Sequence, residues 1–139
     1  MTQQEILEYN KRCAKFLGAI DNTHEWGFML QPNELNLSFD LFNKKLFSND
    51  EGSGWFVKDL KFHSDWNWIM EVVEKIQTLD KLGGIVMIQQ GRCRITSRMA
   101  GDNTVYADVS YYYLHGMRKQ KEAVVQAINQ FLIWYNNEH

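Results

Sequence analysis

Hydrophobic residues return along this chain at two periods, and the periods mark out most of its elements. Ile6, Tyr9, Cys13, Phe16 and Leu17 recur three or four residues apart, which puts them on one face of a helix. Thr2 and Glu5 have the spacing of a capping box, in which side chain and backbone satisfy each other at a helix start. Gly18 suits the stop, because glycine accepts the left-handed conformation that closes many helices. A second helix starts at Ser64 or Asp65, either of which can cap it. Trp66, Ile69, Val73 and Ile76 share one face, and Trp68, Met70 and Val72 widen it. This predicts a helix that is apolar most of the way round and deeply packed. On that reading Trp66 is core, and Trp66→Ala costs roughly 3–5 kcal/mol. The last helix runs from about residue 118 to residue 136. Val124, Ile128, Phe131, Leu132 and Tyr135 form its stripe, and Ala123 and Ala127 permit close packing.

Elsewhere the period is two. Leu35, Leu37, Phe39 and Leu41 alternate with Asn36, Ser38 and Asp40, as in a strand with one face buried. Residues 49–54 form a polar, glycine-rich loop, the expected place for a functional surface loop. Around it, Trp26, Phe28, Trp55, Phe56 and Phe62 predict short strands or irregular structure. Residues 85–97 and 104–111 are strand-like, with turn chemistry between them at Ala100, Gly101, Asp102 and Asn103: a β-hairpin. Val86 and Ile88 have the opposite parity from Cys93 and Ile95. If both pairs face the core, one extra residue must lie between them, and Gly91 is the expected bulge. The pattern predicts an α+β fold. An antiparallel sheet is packed by three helices in the order α, β segments, α, β-hairpin, α. A small α/β/α-type sandwich is one arrangement of those elements.

Composition narrows the class. The 139 residues suit one domain, 1–139, and no linker stretch divides them. Five Trp, six Tyr and eight Phe stand beside one Pro, which supplies enough ring area to offset the chain entropy lost on folding. The formal charge of −2 does not indicate a nucleic-acid partner, which would call for a basic excess. No apolar run approaches ~18 residues and no signal peptide opens the chain, so neither a membrane nor export is expected and a cytoplasmic protein is. Two isolated cysteines, Cys13 and Cys93, read as buried free thiols.

Candidate chemistry is sparse. The densest polar and aromatic stretch is Phe62, His63, Ser64, Asp65, Trp66, Asn67 and Trp68. His63 and Asp65 could be two metal ligands, or a base and its orienter. A metal usually needs three or four ligands, and nothing brings His24, Glu25, Glu71 or His115 to join them. The plainer reading is a helix start, with Ser64 or Asp65 as cap. No phosphate-binding glycine motif and no nucleophile elbow is present. Arg92 and Arg94 flank Cys93, but on a strand they point to the face opposite its thiol. Tyr111, Tyr112 and Tyr113 cannot all face one side of a sheet, so Tyr112 faces away from its neighbours. Arg118, Lys119 and Lys121 are the only dense basic patch. No cofactor is implied.

Three stretches carry a resemblance. Residues 10–18 (NKRCAKFLG), 62–76 (FHSDWNWIMEVVEKI) and 121–136 (KEAVVQAINQFLIWYN) together resemble a family of small uncharacterised proteins of bacteriophages and prophages. The second stretch is the most specific. The resemblance implies a phage or prophage origin and no particular activity. The helix–strand–helix layout is also similar to a small phage α/β sandwich domain. The expected function is that of a non-enzymatic accessory protein, a module binding another protein through surplus aromatics. One alternative is a nucleic-acid binder using Arg118, Lys119, Lys121 and the tyrosines. Another is a small metal-dependent enzyme using His63 and Asp65. Trp68 and Tyr112 complete the candidate surface residues. No pattern along the chain encodes an oligomeric state.

Overall fold

The computed structural model describes residues 1–21, 29–32, 55–56, 60–79, 84–99, 101, 103–111 and 120–138. In chain order they form α1 (Gln3–Phe16), β1 (Ala19–Asp21), β2 (Met29–Pro32), β3 (Trp55–Phe56), α2 (Trp66–Thr78), β4 (Gly84–Gln89), β5 (Arg92–Ser97), β6 (Val105–Ser110) and α3 (Gln120–Glu138). The fold is α+β, with antiparallel sheets. The chain divides into two compact units, Met1–Glu71 and Val72–His139. The boundary falls inside α2. Among the described residues no helix is long and apolar enough to cross a membrane.

In the first unit α1 begins as its sequence dictates. The Glu5 N–H donates to Thr2 Oγ1, and the Thr2 N–H donates to Glu5 Oε1, each at 3.2 Å. The Thr2 N–H, helped by the Thr2 hydroxyl, holds the Glu5 carboxyl below its usual range. Gly18, at φ 103, ends the helix, and its N–H donates to the Lys15 carbonyl. Tyr9, Cys13, Ala14 and Leu17 are buried, and so is Asn10, while Ile6 and Phe16 are half-buried. The strands β1, β2 and β3 form a small antiparallel sheet in that order. They accord with the short strands expected in this region. The Leu35–Leu41 alternation and the 49–54 loop lie outside the described residues.

The second helix differs from expectation. Its buried residues are Trp68, Ile69, Val72, Val73 and Ile76, whereas Trp66 and Met70 are exposed. It is an ordinary amphipathic helix, not one apolar most of the way round. At 3.6 residues per turn, residues 66 and 68 lie about 200° apart, so one stripe cannot centre on both tryptophans. The stripe centres near Ile76, with Trp68 at one edge and Trp66 just outside the other.

The second unit holds a sheet in the order β4-β5-β6, antiparallel throughout. The expected extra residue at Gly91 is in fact a reversal. Gln89 pairs with Arg92, and the chain folds back at Gln90 and Gly91. Val86 then stands opposite Ile95 and Ile88 opposite Cys93, which brings both pairs to one face. The parity break marked a turn between two strands, not a bulge within one. Gly91 has φ 70, and a Cβ there would run into the Tyr111 carbonyl oxygen, so glycine is required twice over. The register irregularity lies instead between β5 and β6, at Ile95 and Thr96. The β5–β6 connection contains Gly101 at φ 81, within the expected turn.

The helix α3 packs on β5 and β6. Its buried residues include Ala123, Val124, Ala127, Ile128, Phe131 and Leu132. The Tyr106 ring stacks on Trp134, with centroids 4.3 Å apart, and meets Phe131 edge-on. The Gln120 side chain ties the helix start to the β4–β5 turn. Its Oε1 accepts the Gly91 N–H at 2.8 Å, and its Nε2 donates to the Arg92 carbonyl at 3.4 Å.

Candidate functional site

The polar stretch singled out in the sequence is built into the start of α2. A tight turn precedes the helix, with the Ser64 and Asp65 N–H groups donating to the Lys61 carbonyl. Asp65 is the cap: its Oδ1 accepts the Asn67 N–H at 2.9 Å, and its carbonyl accepts the Ile69 N–H. This is the arrangement that short polar side chains favour at helix starts. Two residues of α1 hold the turn. The Tyr9 hydroxyl donates to the Phe62 carbonyl at 3.0 Å. Asn10 Nδ2 stands 2.9 Å from His63 Nδ1, donor to acceptor when the ring carries its proton on Nε2. Burial lowers the pKa of His63, so the neutral ring that this contact requires is favoured. Asn10 Oδ1 is buried without a hydrogen-bond partner.

The geometry gives His63 and Asp65 separate work. One imidazole nitrogen meets Asn10 and one Asp65 oxygen caps α2, so neither orients the other. Among the described residues no group of three or more His, Cys, Asp and Glu side chains is placed to hold a metal ion. Trp68, a surface candidate on sequence, is 3% exposed, and its ring packs edge-on against Phe62 with centroids 4.9 Å apart. It is core, and the candidate is corrected accordingly. Tyr112, Arg118 and Lys119 lie outside the described residues, as do His24, Glu25, His115 and Tyr113. Lys121 is half-buried in the first turn of α3.

Both thiols are buried and free. Burial pushes Cys13 well above the usual thiol range. Burial pushes Cys93 up to about 12, and the charge of Asp108 adds to the effect. Neither is therefore an activated nucleophile. Arg92 and Arg94 alternate with Cys93 along β5 as expected, and both guanidinium groups lie near Asp108. Arg92 forms a two-pronged pair with that carboxylate, Nε to Oδ1 at 3.0 Å and the terminal nitrogen to Oδ2 at 2.8 Å. This pair holds Asp108 below the usual carboxylate range.

The surface that the sequence reading missed is the face of the second sheet opposite α3. Register places Ile85 and Met87 of β4 beside Thr96 and Arg94 of β5, with Val105 of β6 beyond Thr96. Ile85 is 47% exposed, Met87 44% and Val105 44%. Arg92, Arg94 and Asp108 lie along the same face. The signal was present: Ile85, Val86, Met87 and Ile88 run on without alternation, so β4 carries apolar side chains on both faces.

No protein-family model, no curated protein and no solved structure matches this chain.

Proposed function

We propose that this chain is a non-enzymatic accessory protein, of phage or prophage origin, that works as a protein-interaction module. The observation that carries the reading is the face formed by Ile85, Met87 and Val105, apolar side chains left open to solvent on one side of a sheet. Side chains of this kind gain free energy when covered, at about 25 cal/mol per Å² of apolar area removed from water. Arginines beside an apolar centre resemble the composition of protein interfaces. The paired Arg92 and Asp108 supply a polar margin that needs no partner charge to balance it. The polar cluster at His63 supports the same reading from the other side. Its groups hold a turn and cap a helix, which leaves them no evident catalytic task. The phage or prophage origin rests on the resemblance of the three sequence stretches alone.

The test is affinity purification of the tagged protein from its own host, with mass spectrometry of what is retained. An Ile85→Glu/Met87→Glu double variant is run beside the native chain. The expected result is a protein retained by the native chain and lost by a variant of unchanged stability. Identical retention by both, or nothing above an untagged control, would overturn the reading.

A further inference from the structure

We infer that β4 pairs, antiparallel about a two-fold axis, with β4 of a second copy of this chain, joining two three-stranded sheets into one. The two-residue loop after β4 makes Gln89 and Arg92 a hydrogen-bonded pair. Alternation then turns the N–H and C=O groups of Gly84, Val86 and Ile88 away from β5. The Val86 N–H shows this directly: it points to Gln77 Oε1, at 3.4 Å, and not into the ladder. That one long contact lies toward the start of the strand. Among the described residues the sheet has no strand beyond β4.

Edges of this kind are normally blunted by lysine, proline or a bulge, because an open row of donors and acceptors templates another strand. Residues 84–90 read Gly-Ile-Val-Met-Ile-Gln-Gln, with no charge and no proline. Ile88, on the opposite face from Ile85 and Met87, is exposed as they are. The absence of charge selects the occupant. A charged peptide finds nothing complementary along this edge, whereas a second β4 meets neither repulsion nor an unmatched charge. A two-fold pairing also covers both edges in one step and closes the assembly at two copies. A six-residue strand offers far fewer than the roughly 20–30 residues a side of a standard interface. The dimer is therefore weak and depends on concentration.

This goes beyond the interaction reading above and uses a different feature, the backbone edge instead of the open face. Sedimentation velocity over a wide concentration range tests it on the full chain. The native protein is expected to move from monomer to dimer as concentration rises. Ile88→Pro removes one outward N–H, and Ile88→Lys puts on the edge the charge by which native sheets resist strand addition. Each is expected to weaken the dimer at least about tenfold. If Ile88→Pro fails to fold, Ile88→Lys decides. A native chain that stays monomeric at millimolar concentration, a dimer unaffected by the folded variants, or growth beyond two copies would each overturn the inference. Capture of a foreign protein that Ile88→Pro abolishes in a monomeric chain would overturn it too, in favour of a foreign strand. Both variants leave Ile85 and Met87 in place. Loss of the dimer with capture intact therefore separates the two proposals.

Discussion

Trp66 and Trp68 stand two residues apart on one helix and carry opposite burdens. Trp68 is 3% exposed and packs on Phe62, while Trp66 is 37% exposed. Removing a buried ring loses its transfer free energy and leaves a cavity, so Trp68→Ala should cost about 3–5 kcal/mol. Trp66→Ala should cost under about 1 kcal/mol, because a half-open ring leaves no closed void. Urea denaturation of the two variants checks this, and equal losses would show that the buried stripe of α2 is misplaced. Periodicity alone favours the other ring, since Trp66 has Ile69 and Met70 three and four residues on, whereas Trp68 has only Val72 at such a spacing. Asn10 shows the same limit more sharply. A polar residue among the buried positions of α1 acquires a role only through His63, 53 positions later in the chain. The Asp65 cap was legible because its acceptor and donor are two residues apart. The contact of His63 with α1 was not legible, because its cause is tertiary.

At the scale of elements, the β4–β5 turn is the decisive feature. Gly91 combines a positive φ, a backbone approach to the Tyr111 carbonyl and an N–H held by Gln120. Gly101 has a positive φ too, but a Cβ there would meet nothing within 4 Å. The comparison separates backbone strain from close approach. Gly101→Ala should cost about 1–2 kcal/mol, the penalty for an L-residue in that conformation. Gly91→Ala should cost clearly more, since the carbonyl must move as well. Gln120→Ala, which leaves the Gly91 N–H without its acceptor, should cost about 1–3 kcal/mol. Thermal or urea unfolding of the three variants gives the order, and equal costs at Gly91 and Gly101 would remove the close-approach argument. This turn also shows why the apolar pattern alone predicts one continuous strand over residues 85–97. A bulge glycine and a turn glycine leave the same trace in sequence, a parity break at a residue free of φ limits. Only the tertiary partners tell them apart. The capping box of α1 and the stripe of α3 were readable for the opposite reason, because their causes lie within one or two turns of helix.

The whole molecule carries one buried thiol in each compact unit, Cys13 in the first and Cys93 in the second. Both are held protonated and out of solvent, so each should react with a thiol reagent only when its surroundings open. In single-thiol variants, Cys13→Ala and Cys93→Ala, labelling of the remaining thiol should be slow without denaturant and should accelerate over the urea range in which the unit that holds it unfolds. Fast labelling of either thiol without denaturant would show that native fluctuations already reach it and that burial does not protect it. Slow labelling would place both cysteines among the groups released only when the core around them opens.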